Sequence, residues 1–195
     1  MIKTFTLFLL LLLLVGSLIA KEWHETSSKK VDQLTIEIVE ASLNQNELKF
    51  NLDGFYIESI DIKNESHILV THEDAPLFLN EGLPGLPRVN RSLIIPNTGS
   101  VEAIVTSIEF DEYQFGPVAP SKGNLLRSQN PDDVPYFFNE FYQTDQWFPV
   151  DNITLSDPFI FRGVRGVNIQ IQPFQYNPKT QILRVVTEMT ITVEA

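Results

Sequence analysis

Leu183-Arg184-Val185-Val186-Thr187-Glu188-Met189-Thr190-Ile191-Thr192-Val193-Glu194 alternates two kinds of side chain from end to end. Successive side chains of a strand point to opposite faces, so Leu183, Val185, Thr187, Met189, Ile191 and Val193 share one dry face, and the intervening residues share the other. Upstream, Val167, Ile169 and Ile171 alternate with Asn168, Gln170 and Gln172 in the same period. Tyr176-Asn177-Pro178-Lys179-Thr180 between the two runs is turn chemistry, which predicts a long antiparallel hairpin closing the chain.

The same period-two signal recurs toward the N-terminus. Leu34, Ile36 and Ile38, then Leu48, Phe50 and Leu52, then residues 56–62 and 68–70, form short apolar runs. Asn44-Gln45-Asn46 and Asp53-Gly54 punctuate them, and residues 101–110 continue the pattern after Asn97-Thr98-Gly99-Ser100. Gly82-Leu83-Pro84-Gly85-Leu86-Pro87-Arg88 followed by residues 89–95 reads as a kinked turn feeding a strand, because each proline fixes its own φ and pushes its predecessor toward extended geometry. No segment sustains a 3.6-residue period, and repeats, heptads and low-complexity tracts are absent. The fold class is therefore all-β, an antiparallel β-sandwich with one long irregular connection rich in aromatic residues and proline.

That connection runs from Gly116 to Pro158 and holds half of the 12 prolines, at Pro117, Pro120, Pro131, Pro135, Pro149 and Pro158. Loops of this length inside a compact domain are uncommon, and are either functional or disordered. Tyr136, Phe137, Phe138, Phe141, Tyr142, Trp147 and Phe148 argue for order, since so much aromatic area is not left in water. The i, i+4 spacing of Phe137 with Phe141 and of Phe138 with Tyr142 predicts one or two helical turns.

At the N-terminus, Lys3, an apolar run over residues 7–15, and Gly16-Ser17-Leu18-Ile19-Ala20 follow the order of a secretory signal peptide. The run is well short of the about 20 apolar residues of a bilayer-spanning helix. Cleavage is expected after Ala20, so that the exported form begins at Lys21. The expected organisation is a signal peptide over 1–20, a polar flexible lead over 21–30, and one domain over 31–195.

The chain has no cysteine, so packing and backbone pairing hold the fold without disulfides, and no thiol nucleophile is available. A net charge of −11 repels phosphate backbones and anionic lipid, which argues against nucleic acid and stable membrane insertion and is otherwise the ordinary charge of a soluble exported protein.

Catalytic signatures are absent. His67, His72 and Glu73 are of metal-ligand type, but an odd separation on a strand sends the two imidazoles to opposite faces, as expected of surface or strand-end histidines. Asp132, Asp133, Asp151 and Asn152 lack the spacing of a calcium loop, and Asn130-Pro131-Asp132-Asp133 reads as a turn or cap. No Gly-x-Ser-x-Gly elbow exists. Arg162-Gly163-Val164-Arg165-Gly166 precedes a strand instead of opening a helix, which removes a phosphate-binding reading and leaves Arg162 and Arg165 as hydrogen-bond donors to a partner or to nearby carboxylates. No catalytic residue, metal or cofactor is expected.

One segment suits recognition. Pro120-Ser121-Lys122-Gly123-Asn124-Leu125-Leu126-Arg127-Ser128-Gln129-Asn130-Pro131 is polar, bounded by prolines, and carries two cations in an acidic chain. An extended loop of this kind can offer Lys122 or Arg127 to a protease pocket carboxylate in a substrate-like manner. The competing reading is a solvated loop whose Arg lies over the sheet.

The ordered set Gly-Leu-Pro-Arg at 85–88, Ile-Ile-Pro at 94–96, Pro-Ser-Lys-Gly at 120–123, Arg-Gly-Val-Asn at 165–168 and Gln-Tyr-Asn-Pro at 175–178 resembles the propeptide of gingipain-type secreted cysteine peptidases. The resemblance is strongest from residue 82 to about 193. It implies a β-sandwich prodomain that precedes a secreted peptidase, assists its folding and keeps it latent until removed, with the cognate peptidase domain as partner in cis or in trans. In arginine-specific members a basic residue occupies the specificity pocket. Arg127, flanked by Leu126 and Ser128, is the positional match and Lys122 the reserve, while Arg162 and Arg165 are possible partner contacts. A peptidase domain is expected after Ala195, so the chain reads as either a fragment of a precursor or a free-standing inhibitor. The alternative reading is an exported adhesion or carbohydrate-binding sandwich that stacks sugars on Trp147 and its neighbours.

Overall fold

The computed structural model describes residues 21–28 and 34–195. The cleavage expected after Ala20 lies outside the described residues. Twelve strands occur among them: β1 (Glu22–Glu25), β2 (Thr35–Ala41), β3 (Gln45–Asn51), β4 (Gly54–Ile62), β5 (Glu65–Thr71), β6 (Val89–Ile94), β7 (Glu102–Tyr113), β8 (Ile153–Leu155), β9 (Phe159–Phe161), β10 (Val164–Ile171), β11 (Phe174–Asn177) and β12 (Ile182–Glu194). Two short 3-10 turns, Pro131–Asp133 and Glu140–Gln143, complete the inventory. All paired strands run antiparallel.

The alternating C-terminal strand organises the largest sheet. One edge of β12 pairs with β7 along nearly its whole length. Its other edge is divided between β11, opposite residues 182–185, and β3, opposite residues 188–194, with β2 outside β3. Thr187 stands at the division: it has no opposite number on β7, and its carbonyl accepts from Leu52 N–H at 2.9 Å. As the period predicts, Leu183, Val185, Met189, Ile191 and Val193 are buried while Arg184, Glu188, Thr190 and Thr192 are only half-buried.

A second sheet has the order β6-β10-β8 with β9 also on β10, and a third has the order β1-β4-β5. Their inner residues, among them Phe55, Ile57, Ile68, Val70, Leu93, Val167, Ile169 and Ile171, join Leu48, Phe50 and the dry face of β12 in one continuous hydrophobic cluster. Burial at about 25 cal/mol per Å² is the chief stabilising term of such a core. Disulfides add nothing.

The predicted long hairpin between residues 167–172 and 183–193 does not form. The hairpin is the shorter β11–β12 pair, turning at residues 178–181, and β10 lies in another sheet. The reason is the corner at Gln172-Pro173. Proline has no N–H to extend the β10 ladder, and its fixed φ turns the chain. Gln172 N–H still donates to Asn152 O at 2.7 Å beside β8, whereas the next carbonyl, of Pro173, accepts from Val186 N–H of β12 at 2.7 Å. Two adjacent residues thus serve two sheets, and residues 171–177 are all buried.

The polar lead is also more ordered than its composition suggests. Glu22–Glu25 pairs with Gly54–Ile57 of β4, Trp23 meets Tyr56 edge-on at 4.8 Å, and His24 packs against Phe115 at 4.7 Å. Among the described residues no helix is long and apolar enough to cross a membrane.

Candidate functional site

The connection after β7 is fastened to the sandwich by its backbone. Ile68 N–H of β5 donates to Pro117 O and Ala119 N–H to Ile68 O, both at 2.8 Å. Ser121 then exchanges hydrogen bonds with the kinked turn: its N–H donates to Leu83 O at 2.7 Å and its carbonyl accepts from Gly82 N–H at 3.0 Å. Gly82 is at φ 80°, and a Cβ there would meet the Phe137 ring at 2.6 Å. Only glycine suits both the angle and the contact.

Downstream, the aromatic cluster packs as its composition requires. Tyr142 donates from its hydroxyl to Val118 O at 3.0 Å, and burial holds its pKa far above the ordinary phenol value. Phe138 and Tyr142 meet edge to face at 5.0 Å around the 3-10 turn 140–143. Phe137 instead covers Gly82, so the second i, i+4 pair is not made. Buried Gln175 donates to Pro149 O and Val150 O at 3.0 Å each, tying the connection's end to β11. Strands β8 and β9, around its C-terminal end, carry too few residues to give a periodic signal.

Residues 122–131 project from this platform as a loop closed at two levels. At its base, Lys122 Nζ donates to Pro131 O at 2.7 Å and lies 4.3 Å from the centre of the Tyr136 ring. At its tip, Gln129 N–H donates to Leu126 O at 2.9 Å while Leu126 N–H donates to Gln129 Oε1 at 2.8 Å. Arg127 and Ser128 are the two central residues of that turn. Leu126, Arg127 and Ser128 are exposed, and Leu126 retains 69% of its surface. Asn130 Oδ1 accepts from Asp132 N–H at 3.2 Å and caps the 3-10 turn 131–133, which is the role given to that Asn-Pro-Asp-Asp run. Arg127 has no hydrogen-bond, ionic or aromatic partner among the described residues. The structure therefore distinguishes the two cations: Lys122 is engaged within the loop, and Arg127 is presented to solvent.

The other arginines separate similarly. Arg165 meets backbone carbonyls in place of the carboxylates expected: it donates from Nη1 to Pro96 O at 2.7 Å and from Nη2 to Gly99 O at 3.0 Å, holding the turn between β6 and β7. Arg162 stands exposed at φ 50° in the β9–β10 turn, 5.2 Å from the Phe161 ring. Around it, Ile94, Phe161 and Val164 form an exposed apolar patch beside a cavity of about 410 Å³.

His67, expected at the surface or at a strand end, stands near the start of β5 but not at the surface. It is buried against Phe138 at 5.3 Å, with Nδ1–H donating to Glu65 O at 3.0 Å. His72 Nδ1 accepts from Asp74 N–H at 3.1 Å, and burial lowers its pKa against the opposing charges of Asp74, Asp53 and Glu73. Among the described residues no cluster of His and carboxylate side chains could hold a metal. Trp147 has its ring under the Arg184 guanidinium at 4.1 Å, and Arg184 also donates from Nε and Nη2 to Glu112 Oε1 at 3.0 and 2.8 Å. The sequence places Tyr136 in the aromatic cluster and Gln129 in the loop but does not show that they shape it, because a side chain closing a turn on the backbone leaves no periodic or motif signal.

Comparison with known proteins gives consistent results. The Propeptide_C25 family matches residues 26–195. Gingipain R2 of Porphyromonas gingivalis is 34% identical over 158 residues, covering 81% of this chain and 22% of that protein. Gingipain R1 of the same organism is 34% identical over 146 residues, covering 75% and 15%. The chain thus spans less than a quarter of the length of these relatives. Among solved structures, a complex of the P. gingivalis RgpB pro- and mature domains is similar with a TM-score of 0.78 at 33% identity, over 82% of this chain and 84% of that one. A structure concerned with zymogenic latency of gingipain K from the same species shares the fold, with a TM-score of 0.75 at 18% identity over 90% and 98%.

Proposed function

The chain belongs to the Propeptide_C25 family, and on that premise we propose that it is the prodomain of a secreted gingipain-type cysteine peptidase, which it helps to fold and keeps latent by occluding the active site. The catalytic cysteine belongs to the partner domain, reached in cis or in trans, since this chain contains none. Residues 1–20 are removed on export, and the domain acts outside the cell or at its surface.

The observation that carries the proposal is the position of Arg127 at the tip of a closed turn, exposed and without a partner among the described residues. Its guanidinium enters the specificity pocket, where a buried carboxylate receives it through paired, charge-assisted hydrogen bonds. Relatives that are gingipains R and a related pro–mature complex support this assignment of the partner. A glycan-binding role has less support, because one face of Trp147 is covered by Arg184.

The test is an inhibition constant against the separately expressed mature peptidase. Arg127→Ala weakens inhibition by about 2–5 kcal/mol, the usual cost of truncating one member of a buried charge pair. Arg127→Lys recovers only part of the loss, since an ammonium cannot reproduce the guanidinium fork. Thermal melts of both variants match the wild type. Unchanged inhibition by Arg127→Ala would leave bulk occlusion by the sandwich in place of pocket insertion.

A further inference from the structure

The loop 122–131 contains two cations, and only Arg127 is exposed and without a contact among the described residues. Lys122 turns back across the loop to the Pro131 carbonyl at 2.7 Å and lies over Tyr136 at 4.3 Å. Its ammonium therefore joins the first residues of the loop to the last. Three residues beyond Arg127, at the other end of the loop, Asn130 caps the 3-10 turn that begins at Pro131. Nearer the tip, Gln129 uses both its backbone N–H and its side-chain oxygen to close on Leu126, so the turn is pinned on both sides of Arg127 and Ser128. These closures lie outside the hydrophobic cluster. Their evident effect is to hold an exposed tip in one shape.

We propose that Lys122 and Gln129 are positioning residues for inhibition: Lys122 clasps the base of the loop, Gln129 closes its tip, and together they pre-order the turn that presents Arg127 to the peptidase. This deepens the pocket-insertion reading and rests on it. A flexible loop loses conformational freedom on docking, whereas a loop already closed has lost it during folding, and the difference appears in affinity. Tyr136 supports the clasp by offering its ring face to the ammonium.

The substitutions separate charge from shape. Lys122→Met keeps the stem and removes the ammonium, while Lys122→Arg keeps a cation able both to stack on Tyr136 and to donate to a carbonyl. Gln129→Leu removes the acceptor for Leu126 N–H, and Gln129→Glu retains it. Lys122→Met and Gln129→Leu each raise the inhibition constant about tenfold, the equivalent of about 1.4 kcal/mol, with unchanged melting temperature. Lys122→Arg and Gln129→Glu restore most of the loss. In an Arg127→Ala background Lys122→Met has no further effect, because the clasp acts through Arg127. Trypsin provides a readout independent of the cognate peptidase: cleavage after Arg127 is faster in Lys122→Met and Gln129→Leu than in the wild type, since opening of the turn precedes cutting.

The outcomes are distinguishable. Undiminished inhibition by Lys122→Met beside a weakened Arg127→Ala overturns the clasp and leaves pocket insertion standing. An equal loss from Lys122→Met with and without Arg127 shows direct contact between Lys122 and the peptidase, which also overturns it. Undiminished inhibition by Arg127→Ala overturns the insertion reading and the clasp with it.

Discussion

Asp111 shows how much a single carboxylate can organise at the surface of a sheet. Ser27 donates to it twice, from N–H to Oδ2 and from Oγ to Oδ1, each at 2.7 Å, and Tyr113 donates from its hydroxyl to Oδ2 at 3.2 Å. The polar segment after β1 is thereby tied to β7. Tyr113 ionises late, its pKa pushed up to about 12, first by burial and then by the charge and hydrogen bond of Asp111. An unfolded tyrosine titrates near about 10. Because the native value is raised, the stabilising contribution is full below about pH 10 and is lost as the pH climbs through about 12. NMR titration of the Tyr113 ring carbon should place its midpoint near about 12, and Asp111→Asn should lower that midpoint while burial keeps it above the unfolded value. An unchanged midpoint in Asp111→Asn would mean that the carboxylate does not face the phenol in solution.

Strand β1 makes a comparable point for a whole element. Its residues Glu22, Trp23, His24 and Glu25 have no apolar alternation, so the sequence offers nothing to read as a strand; the pairing is imposed by the free edge of β4 and by Trp23 lying against Tyr56 and over Gly54. Trp23→Ala should lower stability by about 1–3 kcal/mol, less than a fully enclosed aromatic because the ring is at the surface. Far-UV circular dichroism should remain that of a β protein, and a melting temperature equal to the wild type would show that β1 does not stay docked. Elements with two-residue periodicity, by contrast, were legible: β3, β4, β5, β10 and β12 lie where alternation of apolar residues put them. What alternation could not say is which strand pairs with which. β10 and β12 both carry a dry face, and either register satisfies that pattern, but the proline at 173 sends them to different sheets. At the candidate site the same limit applies. The proline-bounded loop and its two cations were visible as residue types, whereas the division of labour between Lys122 and Arg127 depends on a carbonyl and an aromatic ring that reach them only in three dimensions.

For the molecule as a whole, that corner makes the sheets interdependent. Ile169 belongs to the sheet of β6, β10 and β8, Val185 to the sheet of β12, and both are fully buried in the same cluster. A carboxylate at either position would be buried without a partner, a class of change that costs upward of about 4 kcal/mol. Domain stabilities amount to about 5–15 kcal/mol in total, and no disulfide is present to hold a partly unfolded chain together. Ile169→Asp and Val185→Asp should therefore each abolish the thermal transition of the entire domain, as seen by near-UV circular dichroism and calorimetry. Inhibition should disappear with it, because the loop 122–131 is held through Ser121 to the turn at Gly82–Leu83 and has no sheet of its own. If one variant kept a reduced cooperative transition, the two sheets would be separate folding units, and the platform beneath Arg127 would have to be assigned to the one that survived.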